Sequence, residues 1–236
     1  MNIALVLSGG TGTRLGGEIP KQYIDVNGQM LISFCLKMFS GCKRVDGIWI
    51  VAAENWKSEI MAEANRLGID ESILGFSLPG ANRQMSIYNG LMGICEHTKK
   101  CTSKKDKKTE AVVIIHDAAR PNITEEFINR CLDALMGYDG VMPVLPMKDT
   151  VYYSESGDSV DRLLDRSRIY AGQAPEVYKL DKYLEANINL LPDEILKING
   201  STEPAVMAGL KVAMIPGDEN NYKITTKNDL ERFCQG

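Results

Sequence analysis

Two cations, Arg14 and Lys21, stand in a stretch of unusual composition, Ser8-Gly-Gly-Thr-Gly-Thr-Arg-Leu-Gly-Gly-Glu-Ile-Pro-Lys-Gln22, directly after the apolar run Ile3–Leu7. Glycine has no Cβ, so backbone N–H groups in such a loop can approach an anion closely. Arg14 offers a planar fork to phosphate and Lys21 a point charge. Ser8, Gly9, Gly10, Thr11, Gly12 and Thr13 form the part of this loop suited to cradling a nucleotide. Three further clusters follow apolar runs. Gly80-Ala-Asn-Arg83 with Ser86 can present N–H groups and a hydroxyl to a base or ribose, which makes Gly80, Ala81, Arg83 and Ser86 candidates for nucleotide contact. His116-Asp-Ala-Ala-Arg-Pro121 places Asp117 just beyond a buried run, where a carboxylate suits magnesium if phosphates supply the other oxygens. Lys223 lies in Asn220-Asn-Tyr-Lys-Ile-Thr-Thr226 near the end of the chain. Each has a plainer alternative: Arg14 and Lys21 as surface cations, Asp117 as a helix cap, Arg120 as half of a salt bridge, His116 as a core histidine. Their shared place at the ends of apolar runs weakens these alternatives together.

The elements needed to position these clusters alternate along the chain. Strands are predicted at Ile3–Ser8, Gly47–Ala52, Ile73–Leu78, Ala111–His116, Gly140–Leu145 and Lys211–Ile215. Helices are predicted at Met30–Phe39, Trp56–Leu67, Arg83–His97, from Thr124 through Leu135, and at Asn228–Phe233. The unbroken β-branched run before Asp117 marks a strand buried on both faces. Pro143 and Pro146 mark the Gly140–Leu145 strand as irregular or at an edge. Alternation of this kind predicts an α/β fold with a largely parallel sheet and ligands at the strand C-terminal ends. Residues 148–170 depart from it: Thr150–Tyr153, a turn at Ser154–Ser159, and Val160–Leu164 read as a projecting β-hairpin. Such an arm cannot bury both of its faces alone, so a partner subunit is expected.

The chain has 236 residues, 44% hydrophobic and 25% charged, consistent with one globular domain. A net charge of −4 argues against a nucleic-acid partner. The basic run Lys99–Thr109 lacks aromatic residues and reads as a solvated loop. Six cysteines without a CxxC pair, and only two histidines, argue against structural zinc. No basic leader or membrane-length apolar run is present, so a cytoplasmic protein with reduced cysteines and no membrane contact is expected.

The ordered set Gly-Gly-Thr-Gly-Thr-Arg-Leu, Pro-Lys-Gln, His-Asp-Ala-Ala-Arg-Pro, Lys-Asp-Thr, Gln-Ala-Pro-Glu and Lys-Ile-Thr resembles the CTP-dependent cytidylyltransferases of polyol phosphates. The match runs from residue 3 to about residue 230. The resemblance implies a Rossmann-like nucleotidyltransferase (GT-A-like) fold, a mostly parallel sheet flanked by helices, and a dimerising β-arm. It implies magnesium with CTP, a small polyol phosphate as acceptor, and a homodimer. By similarity Arg14, Lys21 and Lys223 act at the triphosphate and the transition state. Asp117 would hold magnesium or the ribose side of the nucleotide, and Gly80, Ala81 and Ser86 would contact cytosine. Arg120, Thr150 and Arg166 would bind the acceptor phosphate, Arg166 reaching across from the arm, and Ser201 would stand in for a family threonine there.

The chain departs from the family pattern at Gln173-Ala-Pro-Glu176, where Gln-Thr-Pro-Gln is usual, and at Ser201-Thr-Glu-Pro-Ala205. Both departures lie on the acceptor side. Methylerythritol phosphate, an isoprenoid precursor, is the favoured acceptor, with ribitol 5-phosphate as the alternative. Two rival readings come from other classes of protein. A short-chain dehydrogenase is suggested by Gly10–Gly16 and by Tyr178 with Lys182, but Pro20 interrupts the helix and no ribose-binding acid falls at the required spacing. A catalytically inactive nucleotide-binding homologue is suggested by the altered acceptor segments.

Overall fold

The computed structural model describes residues 1–10, 19–101 and 110–235. The strands are β1 (Asn2–Leu7), β2 (Asp25–Val26), β3 (Gln29–Met30), β4 (Gly47–Val51), β5 (Ile73–Ser77), β6 (Val112–Asp117), β7 (Gly140–Pro146), β8 (Val151–Tyr153), β9 (Arg162–Leu164), β10 (Tyr170–Gly172), β11 (Glu176–Lys179) and β12 (Val212–Pro216). The α-helices are α1 (Leu31–Gly41), α2 (Lys57–Leu67), α3 (Arg83–Cys101), α4 (Glu125–Ala134), α5 (Leu180–Ile188), α6 (Glu203–Met207) and α7 (Lys227–Cys234). The main sheet runs β10-β7-β11-β6-β1-β4-β5, with β12 also paired to β7. Its β6-β1-β4-β5 half is parallel, as expected from the alternation. The other half is mixed, because β10 and β11 enter antiparallel.

Side chains of successive strand residues point to opposite faces, and the core divides accordingly. Ala4, Val6, Ile48, Ile50 and Ile114 face one layer with Phe39, Phe127 and Ile128. Ile3, Leu5, Trp49, Val51, Val113 and Ile115 face the other with Ile87, Leu91 and Tyr183. Each such aliphatic side chain contributes about 1.5–3 kcal/mol by leaving water. The central strands therefore form a rigid floor, and their C-terminal ends are fixed points. Gly68 closes α2 in the left-handed conformation (φ 68°), the stop predicted from sequence. Thr124 caps α4 by accepting the Phe127 N–H, also as predicted.

One expectation is corrected. β7 is irregular, but it is not at an edge: β12 pairs with its 140–144 segment on one side, while β11 and β10 share the other. Pro143 is tolerated in this interior strand because it falls between the pairing of β11 at Gly140–Val141 and of β10 at Val144–Pro146. Its carbonyl accepts from the Gln173 N–H at 2.8 Å, in the break between those two strands. The arm is present as a two-stranded antiparallel hairpin of β8 and β9. Tyr152, Val160 and Leu163 on it are 58–65% exposed, so the arm presents an apolar surface to solvent. The short β2, β3, β10, β11, α5 and α6 have no counterpart among the elements predicted from sequence.

Candidate active site

β1 and β6 are parallel neighbours in a register that pairs Leu7 with Asp117, so both strands end side by side. The chain leaving β1 is tied down at once. Ser8 donates to the Val51 carbonyl from its N–H and its hydroxyl, both at 2.9 Å. The Tyr23 hydroxyl donates to the Ser8 carbonyl at 2.9 Å, and the Gln22 amide donates to the carbonyls of Ser8 and Gly10 at 2.6 Å each. Gln22 is thus the brace of the loop, a role its place in Pro-Lys-Gln did not disclose. A Cβ on Gly9 would lie 2.5 Å from the Pro79 Cβ, so glycine is what allows the chain at this position to lie against Pro79.

Between these walls lies a cavity of about 440 Å³, lined by Ser8, Gly9, Gly10, Lys21, Gly80, Ala81, Arg83, Ser86, Asp117 and Lys223 among others. Ten sequence-predicted residues, from four segments remote from one another along the chain, therefore meet in one place. Asp117 is its centre. Oδ1 accepts from Arg83 Nη2 at 3.1 Å and Nε at 3.3 Å, and Oδ2 accepts from Lys223 Nζ at 2.9 Å. Arg120 Nε lies 3.7 Å from Oδ2 beneath the cavity wall. Burial pushes the Asp117 carboxyl up, but the charges of Arg83, Lys223 and Arg120 outweigh burial and hold it well below the usual carboxylate range. Three cations around one carboxylate, with Lys21 nearby, leave a positive surplus that an anionic ligand would neutralise.

The opposite wall is the start of α3. Asn82 caps it by accepting the Met85 N–H at 2.7 Å. Ser86 accepts the Gly80 N–H and donates to the Asn82 carbonyl, both at 2.9 Å, which holds the Gly80–Asn82 turn against the cavity. The N-terminus of α3 adds a partial positive charge to that wall. Asn82 also donates to the carbonyls of Ile195 and Leu196, a tie that its sequence context did not reveal.

His116 takes the plain alternative weighed above. It is fully buried against Phe39, its Nε2 lies 2.9 Å from the Arg120 carbonyl, and burial lowers its pKa to about 4. Arg120 donates from Nη1 to the Asn221 carbonyl at 2.7 Å, which joins it to the segment carrying Lys223. Lys21 donates to the Ile224 carbonyl at 2.6 Å in the same segment.

Three acceptor candidates lie apart from the cavity. Thr150 is exposed at the root of the arm. Arg166 is also exposed there and donates to the Lys148 carbonyl at 2.7 Å. Ser201 is buried, and its hydroxyl donates to Glu176. Glu176 also accepts from the hydroxyls of Tyr178 at 2.8 Å and Thr202 at 2.9 Å. The two segments that depart from the family pattern therefore bond to each other. An acid after proline in an apolar run was the one available signal for this. Arg14, Thr11, Gly12 and Thr13 lie outside the described residues, as does most of the basic run Lys99–Thr109.

Among the described residues no group of three or more His, Cys, Asp or Glu is placed to hold a metal. Asp117 is the one carboxylate among the described residues that line the cavity. That donor set fits a magnesium ion held mostly by phosphate oxygens and water, and it does not fit an all-protein metal cage. Cys35, Cys42, Cys95 and Cys131 are buried free thiols, and Cys234 is an exposed one. Among the described residues no helix is long and apolar enough to cross a membrane.

A family model described as 2-C-methyl-D-erythritol 4-phosphate cytidylyltransferase (IspD) matches residues 2–233. A curated protein of that name from Rubrobacter xylanophilus is 33% identical over 232 residues, covering 97% of this chain and 91% of that one. One from Clostridium beijerinckii is 33% identical over 231 residues, covering 96% and 94%. The fold matches the crystal structure of 4-diphosphocytidyl-2C-methyl-D-erythritol synthase from Anaerococcus prevotii. The TM-score there is 0.78 at 23% identity, over 99% of this chain and 93% of that one.

Proposed function

The chain belongs to the 2-C-methyl-D-erythritol 4-phosphate cytidylyltransferase (IspD) family of nucleotidyltransferases, and from this premise we propose that it transfers CMP from CTP to 2-C-methyl-D-erythritol 4-phosphate in isoprenoid biosynthesis. The observation that carries the proposal is the convergence of Lys21, Arg83, Asp117 and Lys223 on one cavity at the ends of β1 and β6. A phosphate oxygen of the acceptor attacks the α-phosphorus of CTP in line. A new P–O bond forms, the bond from the α-phosphorus to the bridging oxygen breaks, and pyrophosphate leaves. Both substrates are polyanions, so charge neutralisation and alignment supply most of the catalysis.

Lys21 and Lys223 neutralise the α-phosphate as charge shifts towards the leaving group, and Arg14 joins them from the glycine-rich loop. The N–H groups of Gly9 and Gly10 take the phosphates, with Thr11, Gly12 and Thr13 assigned to the same task by similarity, and Ser8 anchors the start of the loop through its bonds to the Val51 carbonyl. Gly80, Ala81 and Ser86 receive cytosine at the start of α3. Arg83 and Asp117 fix the nucleotide between base and phosphates. Magnesium would be held by Asp117 with the phosphates, and when bound it supplies further neutralisation of the triphosphate. Arg120 reaches the acceptor side from beneath Asp117. Thr150 and Arg166 complete that side from the arm of a second subunit, which makes the working unit a homodimer. Ser201 acts there through Glu176, by fixing residues 201–202 to β11.

Pyrophosphate release with CTP is the test, run with 2-C-methyl-D-erythritol 4-phosphate and ribitol 5-phosphate side by side. Release with the first at a kcat/KM at least tenfold above the second supports the proposal. Release with ribitol 5-phosphate alone moves the protein to the other acceptor, and CTP binding without release from either leaves a nucleotide-binding module.

A further inference from the structure

The C-terminal helix α7 buries no residue, yet it is tied to the active-site strap at both ends of a short segment. Residues 221–226 form that strap. Within it Lys223 donates to Asp117 at 2.9 Å, and the Ile224 carbonyl accepts from Lys21 at 2.6 Å. The Ile224 N–H donates to the Ala119 carbonyl at 2.8 Å, so the strap lies along the chain that leaves β6.

Two sets of contacts bind α7 to it. A single oxygen of Asp229, Oδ2, accepts from the Thr225 N–H at 2.8 Å, the Thr225 hydroxyl at 2.9 Å and the Thr226 N–H at 2.8 Å. Thr226 returns the bond by accepting the Asp229 N–H at 3.2 Å, which completes a capping box. On the other side of Lys223, the Arg232 guanidinium lies 4.2 Å above the Tyr222 ring. The helix itself is held by Phe233, whose ring meets Phe34 of α1 edge-on at 4.9 Å. Ile224 sits in this small separate cluster with Val26 and Leu31, apart from the two main core layers.

A capping box needs only one donor from the strap side to start a helix. Here the acid takes three, and all come from the two residues that follow Ile224. We propose that α7 is a clamp that sets the positions of Lys223 and Lys21, with Asp229, Arg232 and Phe233 as positioning residues that touch no substrate. The inference rests on the function proposed above, because the clamp matters only if those lysines act on the triphosphate. Pulling the strap by about an ångström would move Lys223 off the α-phosphate while leaving both core layers intact.

The test compares Asp229→Ala, Asp229→Asn, Phe233→Ala, Lys223→Ala and the double variant Asp229→Ala with Lys223→Ala, read by kcat, KM for CTP and melting temperature. Asp229→Ala is expected to lower kcat about tenfold or more, with a fall in melting temperature of only about 2–4 °C for the lost cap. Asp229→Asn keeps an acceptor oxygen and is expected to recover most of the rate. Phe233→Ala loosens the same helix without touching the cap, and should lower kcat in the same direction. The double variant is expected to lose clearly less than the product of the two single losses, because part of the clamp's effect passes through Lys223 itself. Losses that multiply in the double variant would overturn the clamp. So would a normal Asp229→Ala beside a slow Lys223→Ala. A Lys223→Ala protein with wild-type turnover would instead overturn the function assigned to the lysine, and the clamp with it.

Discussion

The floor of the cavity and the β-arm are built by opposite means. On the floor, Asp117 is buried at the end of a central strand and surrounded by Arg83, Arg120 and Lys223, each fixed by a different element. On the arm, Thr150 and Arg166 stand in solvent on a hairpin whose tyrosines and leucine are largely exposed. The contrast separates two tasks. The cavity floor, the nucleotide end in the proposed function, is preorganised by the sheet, at the cost of placing a carboxylate and three cations in low dielectric. In the proposed function the arm belongs to the acceptor end, which a second subunit would complete.

The largest effect that would break this comparison is expected on the floor. Asp117→Ala leaves Arg83, Arg120 and Lys223 without their shared partner, and should destabilise the protein by about 3–5 kcal/mol in denaturant unfolding. A variant as stable as the parent would mean that the floor is not held by its charges. Acid should expose the same difference. His116 is neutral when buried, its pKa lowered to about 4 from an ordinary 6.5. Its contribution is complete above pH 6.5 and is lost as pH falls towards 4, an effect of roughly 3 kcal/mol. Asp117 is depressed as well, so its share is complete above the ordinary carboxylate range and is lost only at still lower pH. Unfolding midpoints measured from pH 7 to 4 should fall in the parent and stay nearly flat in His116→Gln.

Effects on the arm should be smaller and of another kind. Arg166→Ala is expected to raise the acceptor KM about tenfold, the scale of one charged hydrogen bond, with KM for CTP unchanged. A matching rise in KM for CTP would join the two regions that the structure separates. Smallest of all, Leu163→Lys should leave the melting temperature within about 2 °C and shift sedimentation towards monomer, since the residue is 63% exposed and packs in neither core layer.

The same contrast explains what was legible in the sequence. Strands β1, β4 and β6 are continuous apolar runs, and the residues just past them could be identified as a site because parallel sheets bind at that end. The hairpin was legible from its turn residues and its alternation. Pro143 misled, because a break in the neighbouring strand removed the penalty that an interior proline normally carries. β11 was missed because it is four residues long and has charged groups at both ends, although Glu176, Val177 and Tyr178 are buried. Gln22, Asn82 and Glu176 escaped notice for a common reason. Each makes a hydrogen bond to a partner at least 12 residues away, and no local pattern records such a bond.

Single-turnover pyrophosphate release by Lys223→Ala tests the central claim most directly, with CTP affinity measured on the same sample. A rate reduced by about a hundredfold or more, with CTP bound within tenfold of the parent, is the result expected if the Asp117 cavity carries out the transfer. A Lys223→Ala protein that releases pyrophosphate at the parent rate would contradict it.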